Sequence, residues 1–168
     1  MTTPEIEIAL AGSRSGVFSA SRYVVLPRAR WGLERWGIRH ECDLLALSRS
    51  GMLHEIEIKI SRADLRADAE KRHQHTSSAI SRLWYAVPLE MEAYALEQIP
   101  AAAGLVRCYP LNRGGWTSSV IRRPTVKRCP SAPPDMVAHI HELIACRYWA
   151  ERSRGKFEVV APDEGAEM

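Results

Sequence analysis

Glu41-Cys42-Asp43-Leu44-Leu45-Ala46-Leu47-Ser48-Arg49-Ser50-Gly51-Met52-Leu53-His54-Glu55-Ile56-Glu57-Ile58-Lys59-Ile60 is the stretch that decides the fold. Its second half alternates charged and β-branched residues from His54 to Ile60, the period-2 signature of a strand with one apolar and one polar face. Ile56, Ile58 and Ile60 are expected to face a core. Glu55, Glu57 and Lys59 share the opposite face, neighbours in that row lying about 6.6 Å apart. The first half reads as a more buried strand, and Arg49-Ser50-Gly51 supplies the turn between them. If the antiparallel hairpin centres near Ser50-Gly51, Asp43 comes opposite residues 57 to 59. A slip of one residue would turn its carboxylate to the wrong face.

This arrangement suits metal-assisted phosphodiester hydrolysis, which needs a nucleophilic water, charge relief on the phosphate and a stabilised leaving oxygen. Asp43 and Glu57 are the expected ligands of Mg²⁺ (or Mn²⁺), with the Ile58 carbonyl completing a hard-oxygen set. Lys59 is expected to position or help deprotonate the attacking water and to stabilise the developing charge. A further acid from the first helix would complete the shell. Glu5 and Glu7 are the candidates, with Glu7 preferred, and Glu55 is an outer ligand or an ion-pair partner. The competing reading is that alternating Glu and Lys keep the exposed face of an edge strand soluble. Against it stands Asp43, an acid beside Leu44-Leu45-Ala46-Leu47 that is costly to bury without a partner or a metal.

Around the hairpin, Thr3-Pro4 followed by Glu5 and Glu7 predicts a short first helix ending near Gly12 or Gly16, although Glu-Ile-Glu-Ile also alternates like a strand. Residues 22–26 read as a strand and 29–37 as a connection. Ser61 caps a largely exposed helix to about Arg72, with Ser61 and Asp64 resembling a capping box. A strand over 82–88, a helix over 90–99, a strand over 103–109, a turn at 112–115, an edge strand over 116–126 and a helix over 133–152 complete the chain. The order predicts an α/β fold with a mixed central sheet flanked by helices. Residues 1–160 are expected to form one domain and the acidic segment 161–168 a flexible tail.

The 168 residues are 46% hydrophobic with a net charge of +3. The positive residues are uneven: Arg107, Arg113, Arg122, Arg123, Lys127 and Arg128 lie in a stretch with no acid, a modest patch compatible with phosphate binding. Lys71 and Arg72 are further candidates for phosphate contact. Cys42, Cys108, Cys129 and Cys146 have no C-x-x-C spacing and read as reduced thiols, neither a zinc ribbon nor an iron-sulfur site. With no basic n-region at the start and no apolar run of about 20 residues, a soluble intracellular protein is expected. Asp64 and Asp68, four apart, read as a solvated helix face pairing with Lys71 and Arg72. His73 and His75 lack the third partner that a metal site would need, His139 and His141 are read as carrying no chemistry, and one of Trp31, Trp36 and Trp116 is a candidate for base stacking.

Glu41 to Leu47, Glu55 to Lys59, Ser61-Arg62-Ala63-Asp64-Leu65-Arg66-Ala67-Asp68, Leu83-Trp84-Tyr85-Ala86-Val87-Pro88 and Pro100 to Leu105 together resemble the MmcB family of DNA repair proteins and related phage-borne proteins, a branch of the PD-(D/E)xK nuclease-like superfamily. The resemblance covers about residues 40 to 107. It implies a restriction-endonuclease-like core, Mg²⁺, DNA as partner, and catalytic Asp43, Glu57 and Lys59. One departure is Cys42, which occupies the proline position of the superfamily's Pro-Asp pair. The expectation is a Mg²⁺-dependent DNA nuclease in the cytoplasm of a bacterial or phage-infected cell, with a homodimer as an open option. The alternatives are a non-catalytic nucleic-acid-binding protein that keeps the fold and, third, a phage accessory protein acting through protein contacts.

Overall fold

The computed structural model describes residues 1–12, 14–30, 32–69 and 77–154. Helix α1 spans Thr3–Glu7 and runs on as a π-helical turn over Ile8–Gly12. Strand β1 covers Tyr23–Ala29, β2 Cys42–Ser48, β3 Leu53–Ile58, β4 Ile80–Pro88, β5 Gly104–Pro110 and β6 Trp116–Arg122. Helices α2 (Arg62–Ala69), α3 (Glu92–Gln98) and α4 (Pro134–Ser153) complete the order, with 3₁₀ turns at Glu34–Trp36 and Leu89–Met91. The six strands form one sheet in chain order. Neighbours are antiparallel except β3 with β4 and β4 with β5, so the α/β class with a mixed sheet holds. Parallel pairing forbids a hairpin, and the crossover from β3 to β4 carries α2.

The hairpin register follows from its turn. Gly51 donates to the Ser48 carbonyl at 2.9 Å with φ +78, a left-handed conformation that glycine adopts without strain. That fixes Leu44 opposite Ile56 and Leu45 opposite Glu55, so Asp43 stands one step beyond, opposite Glu57.

Alternation then divides the core into layers. Ile56 and Ile58 pack with Leu44, Ala46, Trp84 and Ala86 under Ile6, Leu10 and Phe18 of the N-terminal segment. Leu45, Leu47 and Leu53 pack on the other face with Leu26, Ile80 and, from α4, Met136 and Ile140. Further along that second face, Tyr85, Val87 and Leu105 meet Leu65 of α2 and Ala95 of α3. Each fully buried aliphatic side chain here contributes about 1.5–3 kcal/mol.

The competing reading of the Glu55, Glu57, Lys59 row as a solvent face is excluded: β3 lies between β2 and β4 and every one of its residues is buried. Ile60, expected in the core, is exposed because the strand has ended. The expected tail 161–168 lies outside the described residues.

Candidate functional site

Burying Glu55, Glu57 and Lys59 in a central strand demands a partner for each charge. Glu57 is 3% and Lys59 2% exposed. Lys59 Nζ reaches Glu57 Oε2 at 2.9 Å and Asp68 Oδ1 of α2 at 2.8 Å. The Tyr85 hydroxyl donates to Asp68 Oδ2 at 2.8 Å, and Tyr85 stands beside Glu57 in the parallel register. The four side chains thus form one buried network between β3, β4 and α2.

The network fixes protonation states. Burial alone would lower the Lys59 pKa, but Glu57 and then Asp68 outweigh it and push it above the ordinary lysine value. The two carboxylates thus favour the charged form of Lys59. Burial, then Asp68, also raises the Tyr85 phenol. Asp68, expected on a solvated face, is instead 6% exposed and part of the network. Asp64, one turn earlier, caps the helix start: the Ile60 N–H donates to its carboxylate at 3.4 Å, while its own N–H donates to Ser61 Oγ at 3.1 Å. The expected partners Lys71 and Arg72, with His73 and His75, lie outside the described residues.

Asp43 takes a different position. Its Oδ2 accepts the Ile58 N–H at 2.8 Å, so the carboxylate bridges the two strands beyond their last paired residues. Cys42 packs on the α4 side of the sheet and Leu44 on the α1 side, so the alternation of β2 breaks at Asp43 between them. Across from Asp43 in the β1 register stands Arg28, whose φ of +47 is unique among the described non-glycine residues. The Arg28 carbonyl accepts from Arg147 of α4 at 2.6 Å.

The two helix-1 acids separate clearly. Glu5 accepts the Thr2 N–H at 2.7 Å and caps the helix. Glu7 is half-buried; burial raises its pKa, Arg28 lowers it and Asp43 raises it again. In kind, Asp43, Glu57, Glu7 and the Ile58 carbonyl are the hard oxygen donors that Mg²⁺ prefers. Three of these carboxylates are not gathered into one cluster: Glu57 is drawn to Lys59 on the second face, and Asp43 is tied to the strand edge.

One group of three ligand-type residues does lie together among the described residues. His40, Cys42 and Glu55 place a donor atom each within 4.8 Å of one another. His40 Nε2 and Glu55 Oε1 share a hydrogen bond of 2.6 Å, and Cys42 Sγ lies 3.7 Å from His40 Nε2. Burial, then Glu55, Glu57, Asp43 and Glu41, push the Cys42 thiol far above its ordinary value. An imidazole and a thiol are donors for Zn²⁺-type ions, not for Mg²⁺. Sequence reasoning discounted these cysteines on spacing and passed over His40. The only signal was the His40-x-Cys42 step facing Glu55, which requires the hairpin register to be seen.

The expected basic patch is divided. Arg122 donates to the carbonyls of Ala103 at 3.0 Å and Pro100 at 2.7 Å, so its guanidinium ties β6 to the turn before β5. Arg107 pairs with Glu92 at 3.0 Å. Arg113, Arg123, Lys127 and Arg128 are exposed. Lys127 stands with Leu65, Asp68, Tyr85 and Ile99 around a cavity of about 400 Å³ next to the buried network. Of the tryptophans, Trp36 is covered by the Arg35 guanidinium 3.7 Å above its ring, Trp116 is half-buried, and Trp31 lies outside the described residues.

No helix among the described residues is long and apolar enough to cross a membrane. No family model matches the chain, and no curated protein matches it. Among solved structures, the chain is similar to the SPO1766 protein of unknown function from Silicibacter pomeroyi, with a TM-score of 0.59 and 21% identity over 84% of this chain and 88% of that one, a likeness of fold.

Proposed function

We propose that the chain is a Mg²⁺-dependent DNA nuclease with a restriction-endonuclease-like core, of the PD-(D/E)xK kind and allied to the MmcB proteins. The observation that carries this reading is the meeting of Asp43, through the Ile58 N–H, with the strand that bears Glu57 and Lys59. The element order lends support: a helix, an antiparallel meander of β1, β2 and β3, a crossover helix and a parallel β4.

In this reading Asp43 and Glu57 would hold the ion, with Glu7 and the Ile58 carbonyl as further hard-oxygen donors. Bound Mg²⁺ supplies charge neutralisation on the phosphate and lowers the pKa of a coordinated water. Lys59, paired with Glu57 and Asp68, stabilises the charge that builds on the phosphate oxygens. Asp68 gives Lys59 a second carboxylate partner besides Glu57, and the Tyr85 hydroxyl donates to Asp68. Glu55, bound to His40, stands outside the reaction.

The test is cleavage of plasmid and oligonucleotide DNA with Mg²⁺ or Mn²⁺. Asp43→Asn, Glu57→Gln and Lys59→Met should each lower the rate by at least a hundredfold, with the circular dichroism of the folded chain retained. Cleavage that survives all three substitutions sinks the proposal. A second reading, a non-catalytic nucleic-acid-binding protein, draws on the closed pairing of Lys59 with two buried carboxylates. It requires salt-sensitive DNA binding with no hydrolysis under any divalent ion.

A further inference from the structure

On the sheet face opposite Glu57 and Lys59, a cavity of about 620 Å³ opens beside the start of β3 and β4. Arg22, Arg82 and Arg123 converge on it, and no acidic residue lines it. None of the ion pairs formed among the described residues engages these three arginines. Three uncompensated guanidinium groups around one concavity make a site for an anion.

His54 forms part of the wall and is only 4% exposed. Its ring is held edge-on by Phe18 and Tyr23, with centroids 5.9 and 5.5 Å away. The Trp84 indole N–H donates to His54 Nδ1 at 3.3 Å, and indole nitrogen can only donate. A neutral imidazole has one acceptor nitrogen, so His54 can accept from Trp84 at Nδ1 or from Arg82 Nη1, 3.1 Å from Nε2, but not from both. In either tautomer one ring N–H faces another donor, and in the form protonated at Nε2 one oxyanion oxygen accepting from Nε2 and Arg82 would turn that contact at the cavity wall into two hydrogen bonds. Burial and then Arg82 hold the His54 pKa down to about 4, in keeping with a neutral ring at pH 7.

We propose that this cavity binds a phosphate monoester of mononucleotide size, its oxygens bridging His54 Nε2 and Arg82 and flanked by Arg22 and Arg123. The volume lies within the range of small-molecule sites, about 300–1,000 Å³. A monoester dianion concentrates more charge on one phosphorus than a diester does, and so draws more on three guanidinium groups around one concavity. Arg22 is already oriented, donating to the Gly16 carbonyl at 2.7 Å. The site is independent of the nuclease reading, since it lies on the other face of the sheet from Glu57.

The experiment is titration of the full chain with inorganic phosphate, with adenosine and cytidine 5′-monophosphates, and with an oligonucleotide lacking terminal phosphates. It follows the Trp84 indole and His54 ring nitrogen resonances together with calorimetry. The expected result is saturable shifts of both resonances with the mononucleotides. Binding should weaken about tenfold or more in Arg82→Gln and in the exposed Arg123→Gln, and stay unchanged in the exposed Glu90→Gln. No saturable shift up to about 10 mM, a value near the weakest measurable affinity, overturns the proposal, as does equal affinity in Arg123→Gln. Tighter binding of the unphosphorylated oligonucleotide at the same resonances overturns the monoester in favour of a diester.

Discussion

Replacing Asp68 by Asn keeps the shape of the side chain and removes its charge from the buried network. Asn can still accept from Lys59 through its oxygen and donate to the Tyr85 hydroxyl through its amide, so the packing survives. What is lost is one of the two carboxylates that neutralise Lys59, which lies 2.8 Å from Asp68 and 2.9 Å from Glu57. Breaking a buried ion pair outright destabilises by about 3–5 kcal/mol. Because Glu57 remains, the expected loss is smaller, about 2–3 kcal/mol, which corresponds to a fall in Tm of about 4–12 °C for a domain of this size. Urea unfolding followed by circular dichroism measures it. Asp64→Asn, on the same helix but serving only as a cap, is the control and should lose about 1 kcal/mol or less. The double variant Lys59→Met with Asp68→Asn should be at least about 1 kcal/mol more stable than the sum of its single changes predicts. If Asp68→Asn lies within about 0.5 kcal/mol of the parent, the value of an exposed pair, then Asp68 is a solvated helix residue after all and the network carries no stability.

Gly104 has no room for a methyl group: a Cβ there would lie 2.4 Å from the Trp84 ring and 2.9 Å from Pro124. Gly104→Ala should therefore destabilise by about 1–3 kcal/mol through overpacking, read as a lower urea midpoint with unchanged slope. His54 has a folded pKa of about 4 against an ordinary value of 6.5, so the unfolded chain takes up the proton first. Its stabilising contribution is complete above about pH 6.5 and is lost as pH falls towards 4, at up to about 1.4 kcal/mol per pH unit. His54→Phe should flatten that part of the stability profile, and superimposable profiles would refute the assignment. Among the thiols, exposed Cys146 should label with a maleimide first, while buried Cys42 and Cys108 should label only on unfolding. Mass spectrometry of partially labelled protein decides this, and early modification of Cys42 would contradict its burial.

Local rules carried the fold a long way. The hairpin register follows from Ser48 to Gly51, where a tight turn with a left-handed glycine leaves few ways to return the chain. The order of helices and strands follows from periodicity and from Pro and Gly punctuation, with ends displaced by a few residues, as at β1, which runs to Ala29. The burial of β3 was not legible. A strand reading His-Glu-Ile-Glu-Ile-Lys has the same pattern at a sheet edge as at a sheet centre. What buries it is the docking of β4 along its free side and of α2 over its charged face, both of which depend on a crossover of more than twenty residues from Ile58 to Ile80.

The same distance in sequence explains what was missed at the site. Asp43, Glu57 and Lys59 stand out because two adjacent strands and one turn bring them together. Asp68 and Tyr85 join Lys59 only when a helix and a parallel strand close on it, so spacing alone assigned Asp68 to solvent. His40 meets Glu55 by the hairpin register, but its part depends on Cys42 turning to the opposite side from Leu44, a break in alternation that no sequence period predicts. Those breaks have a common cause in charge. A strand that carries two glutamates and a lysine into a sheet centre must recruit a compensating group for each of them. Glu57 and Lys59 pair with each other, His40 before β2 meets Glu55, and Asp68 on α2 meets Lys59 and is itself bound by Tyr85 on β4. The neighbours that permit the burial of the lysine are also the ones that favour its charged form.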